Sequence, residues 1–257
     1  MATVIDINCD MGESFGIFKI GRDEEVMGYI TSANVGCGFH AGDPHVMRKT
    51  VALAKEHGVA VGAHPGFPDL LSFGRREIKV TPQEMKDYIL YQVGALKAFV
   101  EAAGLRLQHV KPHGSLYMMA LRERDLARAV VEAIKEVSPE LFLLTMWGTE
   151  QYRAAQELGL PVAGELYADL DYAPDGTQII KRRHEAIDPE EVTRKVIRMV
   201  KEGKVRASHG KDIEVRGSTL CVHGDNPAAI EILKALREAF DREGIRVAPL
   251  REHPSPS

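Results

Sequence analysis

The sequence predicts an α/β fold, a distorted seven-stranded β/α barrel, and three observations lead there. Short apolar runs alternate with stretches of helical periodicity about seven times along the 257 residues. Five of those short runs give way to Gly, Pro or Asp beside a His, Asn, Lys or acidic residue, the pattern of strand ends that open into a site. The length fits one such barrel better than two small domains. An open, doubly wound sheet is the competing arrangement.

Residues 3–8 alternate with β-branched side chains and form the first strand, which ends where Asp10, Gly12 and Glu13 begin a polar loop. A second strand lies near 33–36. Val46, Met47, Val51 and Ala54 then recur at helical spacing as far as Gly58, a C-cap, and 59–62 make a short buried strand. Thr81, Pro82 and Glu84 supply the N-cap, first-turn proline and capping-box acid of a helix reaching about residue 103. Strands are expected at 107–111, 141–145 and 162–165, with helices over 124–137 and 151–158. The rhythm breaks from about 173 to 217, where Asp175-Gly176 is a turn, 177–180 reads as a strand and Asp188-Pro189 caps a helix to residue 200. A seventh strand at 218–222, a helix over about 227–240 and an extended piece at 246–249 follow. The expected organisation is one barrel domain over 1–250 with an insertion near 173–217, then a short tail at 251–257.

Composition narrows the function classes. With 44% hydrophobic and 27% charged residues and a net charge of -4, nothing in the charge balance favours nucleic acid or an anionic membrane surface as a partner. No apolar run approaches the roughly 18 residues of a membrane span, and the N-terminus has neither part of a secretory signal. Cys9, Cys37 and Cys221 lack CxxC spacing and are expected to be buried, reduced thiols in a cytoplasm.

The strand-end motifs carry the candidate chemistry. Asn8 and Asp10 share a face of the first strand, where a polar pair needs partners. Lys111 and His113 have the same parity beside Pro112 and Gly114, and point to a site; His109, also in phase, reads as a partly exposed strand-edge residue. His40, His64 and His223 sit in Gly-flanked loops, where with Asp10 or Asp225 they suit either a divalent metal or hydrogen bonds to a substrate. Arg75 and Arg76 form a candidate clamp for a carboxylate or phosphate. Glu165 and Asp169 are candidate general bases. Walker A and GxGxxG patterns are absent, so ATP sites of those types are not expected in this chain.

Together, Asp6-Ile-Asn-Cys-Asp-Met-Gly-Glu-Ser-Phe-Gly16, Ser32-Ala-Asn-Val-Gly-Cys-Gly-Phe-His-Ala-Gly-Asp-Pro44, Gly62-Ala-His-Pro-Gly-Phe-Pro-Asp69, Phe73-Gly-Arg-Arg76, Lys111-Pro-His-Gly-Ser-Leu-Tyr117 and Cys221-Val-His-Gly-Asp225 resemble the LamB/YcsF family. That family supplies the A component of bacterial 5-oxoprolinase. The resemblance implies a barrel of the glycoside hydrolase/deacetylase type and ATP-dependent opening of 5-oxo-L-proline to L-glutamate with partner subunits B and C. Its motifs imply Asp10, His40, His64, Lys111, His113 and Asp169 as catalytic candidates. Asn8, Asn34, Arg75, Arg76, His223 and Asp225 are the substrate-binding candidates. The chain departs from the family at Leu170, where an arginine is usual, and at Ser115 and Ser72.

Two other functions fit the same residues. A metal-dependent carbohydrate deacetylase would activate water on a His/Asp-bound ion. A non-catalytic scaffold would only stabilise its partners.

Overall fold

A computed structural model describes residues 3–179, 187–224 and 226–254. In chain order, β1 (Val4–Met11) leads through a single helical turn, α1 (Asp23–Val26), to β2 (Ser32–Gly36), α2 (Pro44–His57) and β3 (Ala60–His64). The long α3 (Pro82–Ala102) precedes β4 (Leu107–Val110), α4 (Gly114–Arg122) and α5 (Arg124–Val137). Next come β5 (Phe142–Thr145), α6 (Glu150–Leu158), β6 (Val162–Tyr167), and the short β7 (Asp171–Tyr172) and β8 (Gln178–Ile179). The chain then forms α7 (Pro189–Glu202), β9 (Lys204–Arg206), β10 (Asp212–Glu214), β11 (Thr219–Cys221), α8 (Ala229–Arg242) and β12 (Arg246–Val247).

Seven parallel strands close the barrel in the order β1, β2, β3, β4, β5, β6, β11, with β11 returning to β1. The seam is shared. Val4 and Ile5 pair with β12, whereas Asp6, Ile7 and Asn8 pair with β11, so two short strands cover one edge of β1. This closure excludes the open doubly wound sheet.

The period-2 geometry of a strand explains where the core sits. Along β1, Ile5, Ile7, Cys9 and Met11 are buried within the main apolar cluster. Asp6, Asn8 and Asp10 occupy the opposite face and bond across the barrel interior. The interior is thus polar, and the apolar core lies between the strands and the helices. All three cysteines are buried and free.

The local signals explain most helix ends. Asp43 caps α2 through His45 N and Val46 N, Gly58 closes it in the left-handed region, and Thr81 with Glu84 forms the capping box of α3. Helix α4 was not expected, because Lys111-Pro-His-Gly reads as a loop; Gly114, at φ 55°, instead opens a helix that buries Leu116, Tyr117 and Met119. Within the irregular stretch, Gln178–Ile179 pairs antiparallel with Asp171–Tyr172, and β9 with β10 makes a hairpin that the sequence did not reveal. The expected strand residue Ile180 lies outside the described residues. Among the described residues, no helix is long and apolar enough to cross a membrane.

Candidate active site

The barrel interior is built in polar layers. At the bottom, the Asp6 carboxylate accepts from the hydroxyls of Thr31 (2.6 Å), Ser32 (2.7 Å) and Thr219 (2.5 Å). Burial raises the Asp6 pKa, and those hydroxyl bonds only partly offset it. Above it, Asn8 donates to Thr219 (2.8 Å) and accepts from Asn34 Nδ2 (2.8 Å). His109 Nε2 donates to Asn34 Oδ1 (2.7 Å) while its Nδ1 accepts from Gln108 (3.3 Å), a neutral tautomer. Burial pushes its pKa down to about 3, and Lys111 adds to the shift. His109 is therefore fully buried rather than a partly exposed edge residue, because Gly62 on the neighbouring strand leaves room for its ring; a Cβ there would stand 2.1 Å from it.

The top layer is charged. Lys111 Nζ lies 2.9 Å from Asp10 Oδ1, 3.0 Å from Glu165 Oε1, 3.3 Å from Asn8 Oδ1 and 3.1 Å from Cys221 Sγ. Burial opposes its charge, but Asp10, Cys221 and Glu165 together hold its pKa well above the ordinary value. Asp10 is held well below its ordinary range: burial works the other way, and His64 and Lys111 outweigh it. Glu165 also accepts from Tyr167 Oη (2.6 Å), which lies 3.0 Å from Tyr117 Oη.

Four further groups gather beside Asp10. His64 donates from Nδ1 to the Lys111 carbonyl (2.7 Å), leaving Nε2 at 3.3 Å from Asp10 Oδ2 and 2.9 Å from His113 Nδ1. His113 donates from Nε2 to the Phe73 carbonyl (2.8 Å). Glu13 Oε1 stands 3.2 Å from His40 Nε2, 3.9 Å from His64 Nε2 and 3.8 Å from His113 Nδ1. Burial lowers the pKa of His40 well below normal and that of His113 to about 3, and the neighbouring imidazoles add to both shifts.

A cleft of about 790 Å³ opens above this layer, lined by Asp10, Glu13, His64, Lys111, His113 and His223, with Arg75 and Arg76 also on its wall. His223 Nδ1 is 2.9 Å from Asp169 Oδ1. Burial disfavours its charge, yet Cys221 and Asp169 raise its pKa well above the ordinary value.

The sequence candidates therefore divide. Asp10, His64, Lys111, His113, Arg75, Arg76 and His223 line the cleft. Asn8 and Asn34 are fully buried and hold Asp10, Lys111 and His109 instead of reaching the cleft. Asp169 is buried, and its carboxylate takes bonds from the His223 ring, the His223 backbone N–H and Asn226; that geometry suits a group that orients His223 rather than a base. Arg76 is tied to Asp69, and Arg75 lies over the Phe73 ring. His40 is buried behind His113. Leu170, the departure from the family pattern, lines the cleft. Asp225 lies outside the described residues. The expected grouping of His40 and His64 with His223 does not form: His113 and Glu13 take that place, and His223 joins Asp10 and Cys221. Glu13 was missed, although it closes the first motif three residues after Asp10.

Comparison with known proteins agrees with this architecture. The LamB/YcsF family profile matches residues 5–255. The A component of 5-oxoprolinase from Pyrococcus horikoshii is 55% identical over 250 residues, covering 96% of this chain and 98% of that protein. Its counterpart from Clostridium beijerinckii is 50% identical over 250 residues, with the same coverage. Among solved structures, the lactam utilization protein from Thermus thermophilus superposes with a TM-score of 0.89 at 46% identity, over 96% of this chain and 99% of that one. A family 4 carbohydrate esterase from Streptomyces lividans, at TM-score 0.52 and 8% identity over 96% and 93% of the two chains, shares the fold alone. This chain, matched along almost its whole length, belongs to the LamB/YcsF family.

Proposed function

We propose that this chain is the ring-opening subunit of a cytoplasmic, ATP-dependent 5-oxoprolinase, converting 5-oxo-L-proline to L-glutamate together with partner subunits B and C. One observation carries the reading: a buried Lys111–Asp10–Glu165 charge cluster forms the floor of an open cleft, in a chain half identical to proteins named for this activity.

A lactam carbonyl is a weak electrophile and its nitrogen a poor leaving group, so phosphorylation of the carbonyl oxygen makes the carbon open to attack. The chain has none of the usual nucleotide-binding motifs, and we assign ATP to the partners. Water then adds to the carbonyl carbon and gives its proton to Asp10. Lys111 moves toward the negative charge of the phosphorylated oxygen, and in doing so releases Asp10 to act as base. The ring C–N bond breaks as His223, oriented by Asp169, protonates the departing nitrogen. The hydroxyl of the adduct loses its proton to leave an acyl phosphate, and a second water releases inorganic phosphate and L-glutamate. Arg75 on the cleft wall pairs with the substrate carboxylate.

The test is glutamate release from 5-oxoproline and ATP by this chain alone, by co-expressed partners alone, and by the mixture. Activity confined to the mixture is the expected result. Turnover by this chain alone would place ATP chemistry here, and acetate release from an N-acetyl sugar would favour the deacetylase.

A further inference from the structure

We infer that Glu13, His64 and His113 form a binding site for one divalent transition ion of the zinc class at the mouth of the barrel. Two carbonyl oxygens, which can only accept hydrogen bonds, fix the ring tautomers. His64 must donate from Nδ1 to Lys111 O at 2.7 Å, and His113 from Nε2 to Phe73 O at 2.8 Å. In the neutral rings, the remaining nitrogens carry lone pairs. Those nitrogens, His64 Nε2 and His113 Nδ1, are 2.9 Å apart, with Glu13 Oε1 at 3.9 and 3.8 Å. Two ring nitrogens and two carboxylate oxygens, Glu13 Oε1 and Asp10 Oδ2 at 3.3 Å from His64 Nε2, thus converge, and a positive charge among them, a metal ion or a second proton on His64, makes the arrangement favourable.

The spacing suits an ion. Metal–ligand bonds of about 2.0–2.1 Å at tetrahedral angles put ligand atoms roughly 3.4 Å apart, a value bracketed by the separations found here. Both rings also satisfy the usual outer requirement of a ligating histidine, donation of the second N–H to a carbonyl. His40 does not. Its Nδ1 is buried without a partner among the described residues and packs against Gly66. Its ring is parallel to that of His113, 6° between planes and 3.7 Å between centroids, so the two in-plane lone pairs run side by side instead of converging. His40 Nε2 instead donates to Glu13 Oε1 at 3.2 Å and orients it. All three ligand residues line the cleft, so a fourth position faces bound substrate. Two histidines, one glutamate and an open position make up a common catalytic zinc set, and an ion there supplies Lewis acidity beside Asp10. The inference rests on these hydrogen bonds and is independent of the lactam reading.

The experiment strips the full chain with chelator, dialyses it against micromolar zinc and counts bound metal by mass spectrometry, with circular dichroism to confirm folding. The expected result is one zinc per wild-type chain, lost in His113→Ala and in Glu13→Gln. In His40→Gln it is retained with affinity about tenfold weaker. Zinc K-edge absorption should show two imidazole ligands and oxygen. A folded wild-type chain that takes up no zinc, with both ring nitrogens of His64 protonated by ¹⁵N NMR, overturns the proposal, because a proton then supplies the charge. Undiminished zinc in folded His113→Ala also overturns it.

Discussion

Lys111→Met tests the layered electrostatics of the barrel. The ammonium sits 2.9 Å from Asp10 and 3.0 Å from Glu165, on a side chain 5% exposed, and Glu165 is fully buried. Methionine keeps most of the volume and removes the charge. Asp10 and Glu165 then share a dry layer without their common cation. Removing one partner of such a pair costs about 3–5 kcal/mol, a large share of the roughly 5–15 kcal/mol that holds a domain folded. Adding Glu165→Gln removes one stranded charge and should recover about 1–3 kcal/mol, so the two substitutions are coupled rather than additive. Urea unfolding followed by circular dichroism on the four proteins of the cycle measures this directly. A loss below about 1 kcal/mol in Lys111→Met, the range of an exposed pair, refutes the reasoning, as does additivity with Glu165→Gln.

Three further predictions concern packing, pH and capping. Gly62→Ala places a Cβ 2.1 Å from the His109 ring and should displace it from Asn34, at a cost of about 1–3 kcal/mol; an unchanged melting temperature contradicts this. Hydrogen bonds from Arg76 and Ser72 hold the Asp69 carboxyl well below its ordinary pKa, so its stabilisation is present above the unfolded value of about 3.9 and fades as pH falls toward the folded value. Asp69→Asn should therefore melt below wild type at pH 7, with a gap that narrows below about pH 4; a pH-independent gap would contradict the ion-pair account. Thr81→Ala removes the capping box of α3 and should cost about 0.5–2 kcal/mol, with faster amide exchange confined to the first turn.

Much of the barrel was legible in the sequence, for identifiable reasons. Strand β1 alternates apolar and polar residues, and its polar pair, Asn8 and Asp10, could be read as sharing a face. That this face looks into a polar interior could not, because alternation says nothing about which side carries the apolar core. Helix α4 was hidden by Pro112 and Gly114, ordinary loop signals, of which the first here leads into the helix and the second opens it. At the site, the motifs brought the correct strand ends together, yet His109, in phase with Lys111 and His113, was assigned to an edge because polar strand residues are usually exposed. Its burial depends on the missing side chain of Gly62, a relation between neighbouring strands that local pattern does not contain. Glu13 escaped notice for a similar reason: only the fold brings it to His40, His64 and His113, 27 or more residues along the chain.

The central claim is that the charged layer above Asn8 and Asn34 is where the lactam ring opens. The most direct measurement is turnover of 5-oxoproline by the reconstituted three-subunit mixture containing Asp10→Asn, with assembly followed by light scattering. Intact assembly is expected, with glutamate release at least about a hundredfold slower, the usual contribution of a positioned general base. Normal turnover by the assembled variant would contradict it.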